Sequence, residues 1–169
     1  SYKRLCKSGI VTVTNPEVVS EMFDEAPSLT VLSNHCGNWE LLGGFLGYRR
    51  PGDYEYSFGE EQISVVYKRL TNEVSDMVFK ENRVAPLEIV GTKCELESSQ
   101  VLRFALKNKD TKRVYIYPAD QAPYHISSKH PIGEFMHQPT NAMIGSMGIA
   151  CKLSHAVVYM GMAENYTFN

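Results

Sequence analysis

The four cysteines stand at 6, 36, 94 and 151, and no two of them form a C-x-x-C. That spacing excludes a zinc knuckle and a dense disulfide framework. No apolar run approaches the ~18–20 residues needed to cross a bilayer, and no signal-peptide pattern is visible. Neither sign of charge dominates: 17 lysines and arginines against 19 aspartates and glutamates leave a net charge of −2. Without a cationic field, bulk nucleic-acid binding is a poor reading. Internal repeats and low-complexity tracts are also missing.

What remains is an ordinary globular balance, 43% apolar and 21% charged over 169 residues. That is one domain's worth of chain, residues 1–169. The sequence opens without Met and stops at Tyr166-Thr167-Phe168-Asn169, so we expect a piece of a longer protein.

Short β-rich runs alternate with amphipathic segments. Strands are expected at Ile10–Thr14, Leu29–Ser33, Ile63–Tyr67, Leu87–Val90, Val114–Tyr117 and Ala156–Met160. Asn15-Pro16-Glu17 is a helix start, and Pro27 stops that helix after Glu25. Further helices are expected from Asn38 to Leu46, Thr71 to Arg83, Ser98 to Lys107 and Thr140 to Lys152, with loops over 49–61 and from Pro118 to Pro139. Such alternation predicts a layered α/β fold with a central, largely parallel or mixed sheet flanked by helices. Ligands of such sheets sit beyond the carboxyl ends of strands, which directs attention to Ser33–Glu40, Lys68, Arg69 and Pro118–Gln121.

Ser33-Asn34-His35-Cys36-Gly37-Asn38-Trp39-Glu40 follows a strand and opens a helix. On one helix, His35 and Glu40 would diverge by roughly 140°. Across a tight turn at Gly37 they can meet. An imidazole oriented by a carboxylate is a general base for a hydroxyl, so His35 is the expected base and Glu40 its orienting partner. The acceptor's own hydroxyl can then attack without a nucleophilic serine.

SNHCGNWELL resembles the first motif of glycerolipid-type acyltransferases, H-x-x-x-x-D/E. It is closest in form to the H-x-G-N-W-E of the bacterial lipid A biosynthesis lauroyl/myristoyl acyltransferase family. Three further segments follow in that family's order. Val66-Tyr67-Lys68-Arg69-Leu70, with Arg83 at the end of the next helix, is similar to its V-Y-R-P-L block and later Arg. Tyr117-Pro118-Ala119-Asp120-Gln121 resembles its D-Q block, and Phe135-Met136-His137-Gln138-Pro139-Thr140 its F-F-G-x-P-T block. The chain departs from the pattern with Lys68 for Arg, Arg69 for Pro and His137 for Gly.

The resemblance implies acyl transfer from an acyl thioester, on acyl carrier protein or CoA, to a hydroxyl of a lipid acceptor such as a lipid A precursor. His35 and Glu40 would be catalytic. Asn38, Lys68, Arg69, Arg83, Asp120 and Gln121 would contact substrates, with Asp120 and Gln121 chiefly holding the site's loops together. The thioester is a co-substrate, and neither cofactor nor metal is implied. The family's location is the cytoplasmic face of the bacterial inner membrane, where its usually longer members carry an N-terminal anchor and a C-terminal extension.

Other features carry less. His125, His130 and His137 share a loop at spacings of five and seven, which match no usual metal-ligand pattern. Lys3, Arg4 and Lys7, and Arg103, Lys107, Lys109, Lys112 and Arg113, are basic runs of the kind that usually form solvated helix faces. In an acyltransferase they could meet anionic headgroups or an acidic carrier. The competing functional readings are a non-catalytic lipid-binding domain and a hydrolase of acyl esters or thioesters.

Overall fold

Strands that are apolar on both sides require cover on both faces of their sheet, and the topology supplies it. A computed structural model describes residues 2–50, 52–89, 95–121 and 130–164, with the backbone alone described over 82–89. The strands in chain order are β1 (Leu29–Ser33), β2 (Ile63–Tyr67), β3 (Glu95–Glu97), β4 (Val114–Pro118), β5 (Pro131–Phe135), β6 (Gln138–Asn141) and β7 (Ala156–Met160). The helices are α1 (Tyr2–Ser8), α2 (Pro16–Glu25), α3 (Glu73–Ile89), α4 (Val101–Lys107) and α5 (Gly145–Leu153), with 3₁₀ turns at Trp39–Tyr48 and Glu60–Gln62. Among the described residues, five strands form one sheet in the order β3-β2-β4-β1-β7, every neighbouring pair parallel. This is the expected layered α/β fold. β5 and β6 form a separate antiparallel hairpin.

Alternation along the strands divides the core in two. Leu29 and Val31 of β1 and Val114 and Ile116 of β4 face one side, where they pack with Val19 and Phe23 of α2 and with Leu41, Phe45 and Tyr48 of the long 3₁₀ segment. Tyr115 and Tyr117 of β4 face the other side, against Val101 and Ala105 of α4 and, less deeply, Ile149 and Leu153 of α5. The chain leaving β1 therefore covers one face, and the chain leaving β4 covers the other. β1 and β4 are neighbours, so the crevice beyond their carboxyl ends is a topological switch point.

Local chemistry explains the elements. Pro16 opens α2, and Ala26 before Pro27 is extended (φ −118°, ψ 162°), as a residue preceding proline prefers. The carbonyls of Phe23 and Asp24 at the end of α2 accept hydrogen bonds from Lys112 Nζ at 3.1 and 2.7 Å, placing a cation at the negative end of the helix. Arg113 donates to Ser64 Oγ at 3.1 and 3.0 Å and to the Glu61 carbonyl at 3.1 Å. Two members of the second basic run thus serve the fold at the amino-terminal edge of the sheet.

The structure corrects several expected boundaries. Ile10–Thr14 is irregular rather than a strand: Val11 and Val13 pack on the core, but the segment joins no ladder. Trp39–Tyr48 is 3₁₀ rather than α, with non-helical dihedrals at Gly44, one of three glycines in the segment. α3 runs on through Ile89, so Leu87–Ile89 is helical; four apolar-rich residues are too few for periodicity to separate helix from strand. The sheet position next to β2 is taken by Glu95–Glu97. On α4, Leu102 and Leu106 are exposed, while Phe104 packs inward. The expected loop up to Pro139 contains the β5–β6 hairpin, which carries Thr140 out of the expected helix and delays α5 to Gly145. The hairpin turns at Met136 (φ 51°) and His137 (φ 61°), left-handed conformations that cost a non-glycine residue roughly 1–2 kcal/mol each. His125 lies outside the described residues.

His155 enters β7 stacked on Tyr115, with ring centroids 5.4 Å apart at 9°, and its Nδ1 lies 3.1 Å from Thr30 Oγ1. Burial lowers its pKa, so the fold favours the neutral ring. The contribution of this group to stability is complete above the unfolded histidine value of about 6.5 and is lost as pH falls through the lowered folded value. The thermal midpoint of the wild type should therefore fall more steeply between pH 7.5 and 5.5 than that of His155→Gln. Parallel slopes in thermal melts would remove His155 from the acid response.

Candidate active site

β1 and β4 pair with a constant offset, Leu29 against Val114 through Ser33 against Pro118. The pairing continues one residue further, where the Ala119 N–H donates to the Ser33 carbonyl at 2.8 Å. Ser33 Oγ also donates to the Tyr117 carbonyl at 3.3 Å. Extending the same register by two residues sets His35 opposite Asp120. Their contact is two-pronged: the His35 backbone N–H donates to Asp120 Oδ2 at 2.9 Å, and His35 Nδ1 lies 2.5 Å from Asp120 Oδ1. One carboxylate thus fixes both the backbone and the ring of one histidine.

The turn that carries His35 is built for this. Gly37 has φ +58°, a left-handed conformation that a side chain would strain, and its open side faces Met162. The Cys36 N–H donates to Asn34 Oδ1 at 3.2 Å, closing a short polar turn. Trp39 sets its ring edge-on to the imidazole at 4.6 Å between centroids.

Burial alone would raise the Asp120 pKa. The hydrogen bonds from the His35 backbone and ring outweigh that and hold the carboxyl below its usual value. Asp120 is therefore an anion at neutral pH and can only accept. It assigns the proton of a neutral His35 to Nδ1 and leaves the Nε2 lone pair free. Its stabilising contribution is present above the unfolded carboxylate value and is lost as pH falls through the lowered folded one. At 38% side-chain exposure, solvent screens much of it.

The other expected site residues are arranged differently. His35 lies at the strand-to-helix junction, as expected. No hydrogen bond or ion pair among the described residues joins it to Glu40. Glu40 sits in the first 3₁₀ turn, and its charge is felt by Tyr2, whose pKa is raised first by burial and then by that carboxylate. Asp120 occupies the place expected for Glu40. Asn38 is exposed and opens the 3₁₀ turn through its carbonyl, which accepts from the Leu41 N–H at 2.9 Å. Lys68 and Arg69 are exposed beyond the carboxyl end of β2, and Arg69 lies 3.7 Å from Asp76. Gln121 is exposed next to Asp120. Arg83 belongs to α3, and its side chain is outside the described residues.

A pocket of about 280 Å³ with a mixed lining, Thr12, Thr14 and Asn15 among its apolar residues, lies near the His35 turn. Val11, Val13, Val19, Leu42 and Phe45 form one wall, and Val158, Met160 and Met162 at the end of β7 form the other. Met162 also touches the open side of Gly37, so pocket and turn share a border. Tyr159, between Val158 and Met160 on β7, sends its side chain to the other face of the sheet, where its hydroxyl accepts from Asn34 Nδ2 at 2.5 Å. Sequence spacing could not reveal that Asp120 meets His35 or that Tyr159 meets Asn34, because strand register sets both contacts. Their common signal was position: each lies at or just past a strand's carboxyl end.

No protein-family model matches the chain, and no curated protein matches it. Geometry alone makes a prediction that requires no substrate. The Nδ1 proton of His35, held against Asp120, should give a far-downfield proton NMR signal at neutral pH. Asp120→Asn should abolish that signal, and Glu40→Gln should leave it in place. The opposite pattern would assign the ring to Glu40.

Proposed function

We propose that this chain is a catalytic region that transfers an acyl group from a thioester to a lipid hydroxyl, as its resemblance to the lipid A biosynthesis lauroyl/myristoyl acyltransferase family implies. One observation carries the reading: a histidine ring held by an ionised carboxylate at the sheet's switch point, with a pocket nearby whose wall residue Met162 lies against Gly37 of the same turn. The carboxylate orients the base, and the pocket offers an acyl chain an apolar wall beside it.

Nε2 of His35 takes the proton of the acceptor hydroxyl as its oxygen attacks the thioester carbonyl carbon. Asp120 stabilises the imidazolium that forms. The tetrahedral intermediate collapses, the C–S bond breaks, and the thiolate leaves with the proton from His35. Acyl carrier protein or CoA is the thiol carrier in this reading. Lys68 and Arg69, beyond the carboxyl end of β2, are on the correct edge to meet phosphate groups of donor or acceptor.

The lipid surface would meet that same edge. Phe135 and Met136 at the hairpin turn are 68% and 78% exposed, and Met143 and Ile144 ahead of α5 are also exposed. Contact through such side chains is apolar and only weakly salt-dependent. This differs from the electrostatic attachment expected from the basic runs, since Lys112 and Arg113 are engaged within the fold. No helix among the described residues is long and apolar enough to cross a membrane.

Purified protein given a long-chain acyl thioester and a lipid alcohol should release free thiol and form the ester, as read by mass spectrometry. His35→Ala should lower the rate by about 10²–10⁴-fold with the fold intact by circular dichroism. Ester formation undiminished in His35→Ala would refute the mechanism, and thiol release without ester would mark a hydrolase.

A further inference from the structure

Resting on the acyl-transfer reading, we infer that Tyr48 closes the far end of the pocket and so sets the longest acyl chain the site accepts. Two cavities lie along residues 11–16. The one near the His35 turn measures about 280 Å³, and a second of about 240 Å³ lies beyond it. Thr12, Val13 and Tyr48 line both, so the boundary between the cavities runs through these three residues. Tyr48 has the largest side chain of the three. It belongs to the same side of the sheet as Val158 and Met160, the β7 residues that wall the first cavity.

The 3₁₀ segment builds this end wall. At three residues per turn, Leu42, Phe45 and Tyr48 recur on one side of it, and all three line the first cavity. The row begins at Leu42, nearest in the chain to the His35 turn, and at about 2.0 Å per residue it ends at most about 12 Å further on. Tyr48 is 5% exposed, and its hydroxyl donates to the Leu41 carbonyl at 2.8 Å. The ring is thus anchored at its backbone and at its hydroxyl, and swinging aside for a longer chain would cost that bond. The second cavity adds a chemical barrier. Arg49, Arg50 and Asp53 line it together with Tyr54 and Tyr56. Arg49 lies 3.5 Å from Glu55, and Arg50 donates to the Gly9 carbonyl at 2.8 Å. A hydrocarbon end pushed past Tyr48 would strip water from these polar groups without replacing its hydrogen bonds. A chain whose thioester sits at the His35 turn therefore runs along Leu42 and Phe45 and stops at Tyr48.

Saturated acyl-CoAs from octanoyl to stearoyl, each given with one lipid alcohol, read this as kcat/KM against chain length. A single methylene too many in a closed pocket costs about 10–200-fold, so the wild type should show an optimum and a drop of that order on passing it. Tyr48→Leu opens the first cavity into the second. It should shrink that drop by about 10-fold or more and move the optimum to a longer chain. A merely structural Tyr48 would instead lower the rate for every chain by the same factor. Tyr48→Met keeps more of the buried volume and decides the matter if circular dichroism shows Tyr48→Leu unfolded. A folded variant with the wild-type chain-length profile, or with an equal loss for all chains, overturns the inference. So does a wild type that uses stearoyl as readily as every shorter chain. If the wild type forms no ester with any chain, the acyl-transfer reading fails and this inference fails with it; an active wild type with an unshifted variant sinks the inference alone.

Discussion

The parallel register of β1 against β4 is the constraint on which the site depends. Ser33 pairs with Pro118, so the residues two further along each strand, His35 and Asp120, emerge side by side. A slip of one residue would turn Leu29, Val31, Val114 and Ile116 off the face they share with α2 and the 3₁₀ segment. The hydrophobic core and the His35–Asp120 contact are consequently fixed by one pairing. The same packing that buries Val31 and Ile116 sets the distance between the His35 ring and the Asp120 carboxylate.

Charge is divided between the two edges of the sheet. At the amino-terminal edge, Lys112 and Arg113 close the end of α2 and tie β4 to Ser64 of β2 and the Glu61 carbonyl. At the carboxyl edge, Asp120 is kept ionised by the histidine it orients, and Lys68 and Arg69 stand beyond β2. Structure and chemistry therefore draw on different members of the charged set. The pocket opens beside the carboxyl edge, between the end of β7 and residues 11–15, a segment that supplies valines and polar groups without being a strand.

The layered α/β class was legible because strand-like and helix-like periods alternate, and β1, β2 and β7 were read at their observed bounds from compact β-rich runs. β4 differed only by including Pro118. His35 was legible because it lies between LTVLS and the apolar stripe that begins at Leu41. Its partner was not, since Glu40 is near in sequence and Asp120 is 85 positions away. Local spacing favours the nearer acid, and only strand pairing reveals the distant one. β3 and the β5–β6 hairpin were missed for a related reason. ELE is three residues long, and the hairpin turns at Met136-His137 without the glycine or asparagine that usually marks such a turn.

A double-mutant cycle on the transfer rate tests most directly whether Asp120 acts through His35. Asp120→Asn and Glu40→Gln are each measured in the wild type and in His35→Ala. If Asp120 orients the base, its substitution slows the wild type and has little further effect once His35 is gone, a coupling of about 1 kcal/mol or more. Glu40→Gln should have the same small effect in both backgrounds. Strong coupling of Glu40 to His35, with additive behaviour at Asp120, would contradict the account.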